Sequence, residues 1–352
     1  MDIMRLQRTR HTGQAAAACI HGIEVSAKPT HSPRQAVLNI VDALRRNPQT
    51  CNQFWLIDDR ADPQQPLTSI SAWPLWFSEN SRYDERPLLY LTQSCTSAHL
   101  EMLTTQTADR GIILNDIESS PSRWAKGAHP WLPLWLAVNR HCMPFDPACA
   151  AEAQAIVTGA LRELYLEGRP GFCYLTLHDS SVESLECDRS AAYRGMYRLA
   201  GAELPQVRLL AAGRMLEEVQ AAARQLEQDW GIRSVVWSCP SYTRLARDAT
   251  AVQQWNRHNR LHAARRSHLA ECLGSTEAPV VAVTGYAEFV AAQLAPHVNA
   301  PFTALGADTL SAGQRLTRDW ITYIALRSLT VQGTFAREDL GQVLEHYGLG
   351  SA

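Results

Sequence analysis

One block of sequence, residues 207–248, constrains the fold of this chain more than any other feature. It contains a short apolar strand, a turn at Gly213, an amphipathic helix over 215–230 and a second apolar strand over 234–238. Apolar residues of the helix recur every three or four positions and so share one face: Leu216, Val219, Ala223, Leu226 and Trp230. A strand followed by a helix and another strand is typical of a parallel sheet covered by helices.

The same alternation extends over most of the chain. Further apolar segments that predict strands lie at 54–57, 88–92, 111–114, 172–177, 279–284 and 302–306, with helical patterns between them. We therefore predict an α/β fold with two doubly wound domains, each with a mostly parallel sheet. The predicted organisation is a flexible arm over 1–30, a first domain over 31–180, a linker over 181–206 and a second domain over 207–352.

Composition restricts the class of protein. Hydrophobic residues make up 46% and charged residues 19%, which suits a globular protein with a large core. A net charge of −2 gives no electrostatic reason to expect nucleic acid or an anionic membrane as partner, and no run of 18 apolar residues predicts a spanning helix. The nine cysteines include no C-x-x-C pair, so we predict free thiols in a reducing cytoplasm and no metal site.

Motifs that would name a reaction by themselves are absent from the sequence. It has no G-x-G-x-x-G, no G-x-S-x-G and no Walker sequence. Asp58 and Asp59 end a predicted strand, at the sheet edge that lines ligand crevices in α/β proteins. His129, in a long loop, and His178, directly after a strand, are candidates for proton transfer near neutral pH.

An ordered series of short motifs resembles one enzyme family. The motifs include Cys142-Met-Pro-Phe-Asp-Pro-Ala148, Phe172-Cys-Tyr-Leu-Thr176, Tyr193-Arg-Gly-Met-Tyr-Arg-Leu199 and Ser241-Tyr-Thr-Arg-Leu-Ala-Arg-Asp248. They resemble the homodimeric, thiamine-diphosphate-dependent first component of the pyruvate dehydrogenase complex, a transketolase-like enzyme. The resemblance covers only its pyrimidine-binding and C-terminal domains, so residues 31–180 and 207–352 would correspond to these two domains.

The resemblance implies a cofactor site with parts missing. In this family the diphosphate is held through Mg²⁺ by a domain with a G-D-G…N motif, and the pyrimidine-binding domain supplies a glutamate that activates the cofactor. No G-D-G occurs here, and the expected glutamate is not found. Glu79 and Glu85 are the nearest carboxylates, but neither lies in a matching motif. The first domain is therefore predicted to be a degenerate pyrimidine-binding-like domain.

Two functions follow from the resemblance. The chain is either the small subunit of a split thiamine-diphosphate-dependent enzyme or a non-catalytic paralogue, a pseudoenzyme that acts as scaffold or regulator of a dehydrogenase complex. As a subunit it would be inactive alone and would need a partner chain with the diphosphate-binding domain and its Mg²⁺. The pair would decarboxylate a 2-oxo acid or transfer an acyl or ketol unit, with His129, Asp58 and Asp59 near the substrate. We expect a homodimer or a heterotetramer.

Overall fold

The computed structural model describes residues 10–26, 30–60, 85–105, 110–119, 124–180, 186–275, 277–310 and 314–349. The chain divides into two compact units, Met1–Ser184 and Leu185–Ala352. Each unit contains one five-stranded sheet. The predicted α/β fold with two mostly parallel sheets is confirmed.

The sheet of the first unit is parallel throughout. Its strands are β1 (Trp55–Asp58), β2 (Leu88–Thr92), β3 (Arg110–Asn115), β4 (Cys142–Phe145) and β5 (Gly171–Thr176). Their order across the sheet is β1-β2-β3-β5-β4. Every residue of β2, β3 and β5 is buried, as expected for strands with helices on both faces.

Five α-helices accompany this sheet in the described ranges. They are α1 (Arg10–Val25), α2 (Pro33–Arg46), α3 (Ser97–Thr105), α4 (Trp131–Val138) and α5 (Ala150–Leu161), which continues as a π-helical turn over Arg162–Leu166. Short 3-10 turns span Ile117–Ser119 and Ala125–Gly127. Ser32 begins α2 because its side chain accepts a hydrogen bond from the amide of Gln35.

The prediction of a flexible arm over 1–30 is wrong for the part that the structure describes. Residues Arg10–Val25 form α1, and its small apolar residues Ala15, Ala16 and Cys19 are fully buried. Thr12 donates a buried hydrogen bond to the carbonyl of Glu85, 2.8 Å away. Alanine has the highest helix propensity, but its small side chain gives only a weak apolar pattern, so the periodicity of the sequence does not reveal this helix.

The sheet of the second unit is parallel except at one edge. It consists of β6 (Tyr197–Gly201), β7 (Val207–Ala211), β8 (Ser234–Ser238), β9 (Val280–Val283) and β10 (Phe302–Leu305). The order is β10-β9-β7-β8-β6, and β6 runs antiparallel to β8. The helices are α6 (Arg189–Arg194), α7 (Met215–Trp230), α8 (Tyr242–His258), α9 (His268–Leu273), α10 (Phe289–Ala292), α11 (Arg318–Val331) and α12 (Leu340–His346), with a 3-10 turn over Ala295–His297.

Helix α7 packs through most of the predicted face. Leu216, Val219 and Leu226 are fully buried, but Ala222 is buried in place of Ala223, and Trp230 is only half-buried. The glycine turn before it is also confirmed, since Gly213 has a φ of 55°.

The predicted linker over 181–206 belongs in part to the second unit. Strand β6 and helix α6 lie within that range, and β6 pairs with β8 as an edge strand. Only Tyr197 of β6 is buried, so the strand lacks the continuous apolar run of a central strand and resembles a connecting segment. None of the helices in the described ranges has the length and apolarity needed to cross a membrane.

Candidate active site at the carboxyl edge of the first sheet

All five strands of the first sheet end at the same edge, and polar residues follow each of them. The sequence after the strands supplies Asp58 and Asp59, Ser94, Asn115 and Asp116, Asp146, and His178 and Asp179. In parallel α/β sheets ligands bind outside the carboxyl ends of the strands. The sheet topology therefore assembles one polar surface from residues far apart in the sequence.

Asp58 and Asp59 separate at this edge, although they are neighbours in the chain. Asp58 forms an ion pair with Arg60, whose Nη2 and Nε lie 2.8 Å and 2.9 Å from its two carboxylate oxygens. Burial works to raise the pKa of Asp58, but the hydrogen bonds and charge of Arg60 outweigh it and the pKa is lowered. Asp58 is thus engaged in a local ion pair and remains a carboxylate at neutral pH.

Asp59 instead begins a line of hydrogen bonds that the sequence did not reveal. Its Oδ2 lies 3.2 Å from Nε2 of His99, in helix α3. The other ring nitrogen, Nδ1, lies 2.6 Å from the hydroxyl of Ser94. That hydroxyl is 3.0 Å from the hydroxyl of Thr92, the last residue of β2. The line joins the ends of β1 and β2 through a histidine whose side chain is 36% exposed.

The turn that carries Ser94 is held from the neighbouring strands. The amide nitrogen Nδ2 of Asn115 donates to the carbonyl of Ser94 at 2.8 Å and lies 2.9 Å from the hydroxyl of Tyr174. Asn115, Ser94 and Tyr174 are all buried. The sheet itself thus fixes the position of this turn.

His129, the third predicted site residue, lies against the same turn. Its backbone amide donates to the carbonyl of Cys95, 2.9 Å away. Its ring packs edge-on against Trp124, with 5.2 Å between the ring centroids, and its Nδ1 accepts from the amide of Trp131 at 3.3 Å. The structure therefore brings His129 and Asp59 to one segment, residues 94–99, whereas Asp58 pairs elsewhere.

A buried lysine organises the loop that leads to His129. Nζ of Lys126 lies 2.6 Å from Asp146 and 3.4 Å from Glu118, and its side chain is only 4% exposed. Burial works to lower the pKa of Lys126, but the two carboxylates outweigh it and raise the pKa. The lysine therefore stays charged and ties together the segments after β3 and β4.

The loop adopts an unusual backbone conformation at this point. Lys126 has a φ of 51°, and a Cβ on Gly127 would lie 2.5 Å from the carbonyl oxygen of Ile117. The ion pairs of Lys126 thus hold a strained turn. The composition of the sequence points to this residue, because Lys28 and Lys126 are the only lysines of a chain whose other basic side chains of this kind are arginines.

His178 is structural in this arrangement. It is 1% exposed, and its Nε2 lies 2.8 Å from the carbonyl oxygen of Pro147, so Nε2 carries the proton. Burial lowers the pKa of His178, and the charge of Lys126 lowers it further. Its Nδ1 has no hydrogen-bond partner among the described residues.

Glu85 lies at the opposite edge of the sheet. It pairs with Arg110, the first residue of β3, through bonds of 2.6 Å and 2.9 Å. Glu79 lies outside the described residues. Within the described ranges, no cluster of three or more His, Cys, Asp and Glu side chains could hold a metal ion.

Comparison with known proteins agrees with this fold. Residues 195–313 match the family model of the transketolase-like TK C-terminal domain. The pyruvate dehydrogenase E1 component of Cupriavidus necator is 31% identical over 225 residues, which are 59% of this chain and 25% of that protein. The corresponding component of Pseudomonas aeruginosa is 29% identical over 225 residues, 59% of this chain and 26% of that protein.

The chain is related to part of the pyruvate dehydrogenase E1 component. It spans about a quarter of the length of these relatives. Among solved structures, a chain described as "split gene transketolase, inactive beta4 tetramer" matches with a TM-score of 0.54 at 17% identity. That match covers 86% of this chain and 99% of the other, and at this identity it shows the fold alone.

Proposed function

We propose that this protein is the small subunit of a split thiamine-diphosphate-dependent assembly. A partner chain would supply the domain that binds the diphosphate and Mg²⁺. The reaction class would be decarboxylation of a 2-oxo acid or transfer of an acyl or ketol unit. The relation to part of the E1 component, together with the near-complete coverage of a split-gene transketolase chain, supports this proposal.

The carboxylates of this chain limit its part in cofactor chemistry. Every carboxylate named at the described carboxyl edge lies beside a cation or a histidine. The pairs are Asp58 with Arg60, Asp59 with His99, Asp116 and Asp179 with Arg34, and Asp146 and Glu118 with Lys126. These residues do not fit the role of the glutamate that activates an aminopyrimidine, so we assign that step to none of them.

The carboxyl edge of the first sheet would then contribute to substrate binding rather than to cofactor activation. Residues 94–99, with Asp59 and His129 against them, present hydroxyl, imidazole and carboxylate groups in one place. The hydroxyl and imidazole groups can donate hydrogen bonds to the carboxylate or carbonyl oxygens of a 2-oxo acid, whereas the Asp59 carboxylate only accepts and faces His99. We propose that His129 contacts the substrate in the assembled enzyme, that Asp59 lies near the substrate and orients His99, and that Asp58 holds Arg60 there. A homodimer of this subunit within a heterotetramer would be the corresponding assembly.

The paired carboxylates also favour a second candidate. A non-catalytic paralogue would keep the fold and lose the activating glutamate, and it would act as scaffold or regulator of a dehydrogenase-type complex. The ion pairs at the edge would then be structural replacements for cofactor contacts.

Isothermal titration calorimetry separates the two proposals. Thiamine diphosphate with Mg²⁺ is titrated into this chain alone, and into this chain copurified with a G-D-G…N-containing protein encoded beside it. The split-enzyme proposal expects no heat with the chain alone and saturable binding with the pair. Absence of binding in both titrations would exclude the split enzyme and leave the paralogue.

A variant pair then tests the substrate role in the assembled enzyme. His129→Ala should raise KM or lower kcat for the 2-oxo acid without changing cofactor affinity. His141→Ala, a change at an exposed histidine before β4, is the matched control and should change neither. Equal turnover by both variants would remove His129 from the site.

A further inference from the structure

Ser94, His99 and Asp59 have the arrangement of a charge-relay triad. The hydroxyl of Ser94 lies 2.6 Å from one nitrogen of the imidazole, and the carboxylate of Asp59 lies 3.2 Å from the other. They come from the turn after β2, from helix α3 and from the residue after β1. Triads occur on unrelated folds and are recognised by geometry rather than by order in the sequence. Here the two ring nitrogens exchange their usual roles, because the serine meets Nδ1 and the carboxylate meets Nε2.

The position of Ser94 in the fold suits a nucleophile. Strand β2 ends at Thr92 and helix α3 begins at Ser97, so Ser94 lies on a strand-to-helix turn at the carboxyl edge of a parallel sheet. Serine nucleophiles of α/β enzymes are presented on such turns. The first amides of the following helix have no acceptor within the helix, and the amide of His99 donates to the hydroxyl of Thr96 at 3.4 Å.

A relay through His99 requires one placement of the protons. The Ser94 hydroxyl must donate to an unprotonated Nδ1 of His99, and the distance of 2.6 Å allows this bond. The hydroxyl of Thr92 would then donate to the Ser94 oxygen at 3.0 Å. The proton of the neutral imidazole would be on Nε2 and face Asp59, whose side chain is 13% exposed. A carboxylate in this position stabilises the imidazolium that forms when the serine loses its proton.

We propose that Ser94 is an acyl-accepting nucleophile, with His99 as its general base and Asp59 as the residue that orients His99. The substrate class is an activated acyl group, as in a small ester or thioester. The Ser94 oxygen attacks the carbonyl carbon while its proton moves to Nδ1 of His99. The bond to the leaving alcohol or thiol breaks, and the leaving group takes that proton. Water then attacks the O-acylserine by the reverse sequence and releases a carboxylic acid.

Burial of the serine limits the size of the acyl group. Ser94 is 2% exposed, whereas the side chain of His99 is 36% exposed, so of these two residues the imidazole is the one that meets solvent. A small acyl donor is therefore the appropriate probe. This activity needs neither the partner chain nor the thiamine cofactor of the proposed function.

The test uses the full-length chain and p-nitrophenyl acetate. Cys95 is exposed and adjacent to Ser94, so the reaction is run in a Cys95→Ala background to remove the competing thiol. We expect a burst of p-nitrophenol and an acetyl group, located by peptide mass spectrometry, on Ser94. His99→Gln should slow acetylation about 10²–10⁴-fold, Asp59→Asn should slow it as well, and the exposed-histidine control His141→Gln should leave it unchanged.

Two results would overturn the proposal. One is an acetyl group found only at residues other than Ser94, and the other is acetylation of Ser94 at the parent rate in His99→Gln. The location of the label is read on the parent protein, so it is informative even if a variant does not fold. A fluorophosphonate probe, which marks activated serines, must label the same residue. Cofactor calorimetry is a separate measurement, so failure of one proposal is distinguishable from failure of the other.

Discussion

Replacing Glu85 by glutamine tests the assignment of this carboxylate to the folding core rather than to the site. Arg110 is 1% exposed, and Glu85 meets it with two hydrogen bonds. A third bond joins the guanidinium to the carbonyl of Leu164 at 2.7 Å. The hydroxyl of Tyr165 lies between the amide of Leu88 and the carbonyl of Arg110, so the pair is part of a buried network.

The expected cost follows from the burial of the cation. Glu85→Gln keeps the side-chain volume and one hydrogen-bond acceptor, but it leaves the buried guanidinium of Arg110 without a counter-charge among the described residues. Removing one partner of a buried ion pair costs about 3–5 kcal/mol. For a unit of this size, the corresponding fall in melting temperature is about 6–20 °C.

Hydrogen exchange in increasing urea measures this cost for the first unit alone. Peptides from β2 and β3 report its free energy of unfolding, while peptides from β7 and β9 in the second unit serve as an internal reference. The matched control is Glu163→Gln, which removes one of the two carboxylates beside Arg169, a side chain that is 63% exposed. That change should cost no more than about 1 kcal/mol.

A double variant separates charge burial from packing. Glu85→Leu combined with Arg110→Met removes both charges and should be more stable than Glu85→Gln, because no unpaired ion remains. The reasoning is refuted if Glu85→Gln costs less than the surface control, or if the double variant is no more stable than the single one.

Three further predictions concern other parts of the structure. Lys126→Met should destabilise the first unit by about 3–5 kcal/mol in urea unfolding, because it leaves the buried carboxylates of Asp146 and Glu118 without their cation. His178 has a lowered pKa, so the stability of the first unit should fall as pH drops below about 6.5, the ordinary pKa of histidine. A His178→Gln variant should show a flatter dependence of melting temperature between pH 7.5 and 5, and an unchanged slope would contradict this. Gly306→Ala places a Cβ 2.2 Å from the backbone nitrogen of Glu288 and should cost about 1–3 kcal/mol or more. Gly341→Ala, with nothing within 4 Å, should be neutral or stabilising in the same thermal unfolding experiment.

Much of the fold was predictable because it depends on local patterns. The fully buried strands β2 and β9, the turn at Gly213 and most of the buried face of α7 follow from periodicity and turn chemistry within a short window. The errors have the same origin. Helix α1 is rich in alanine, and edge strand β6 has a single buried residue, so neither gives a strong apolar signal.

The candidate site was predicted only in part. Asp58, Asp59 and His129 were expected together near a substrate, yet Asp58 pairs with Arg60, while Asp59 and His129 lie against residues 94–99. The pattern that placed the aspartates at a strand end could not show which way each side chain points. Consecutive residues at a strand end point to opposite faces, so neighbours in sequence have different surroundings.

The sequence by itself therefore determined the class of fold, most of its central strands and the kinship with part of an E1 component. Only the tertiary structure decided which charges meet: Glu85 with Arg110, Lys126 with Asp146, and Asp59 with His99. Periodicity is a property of short windows, whereas these contacts depend on strand order and on the paths of the loops. Side chains distant in the chain share one edge because parallel strands all end there, and burial then makes their pairing energetically necessary.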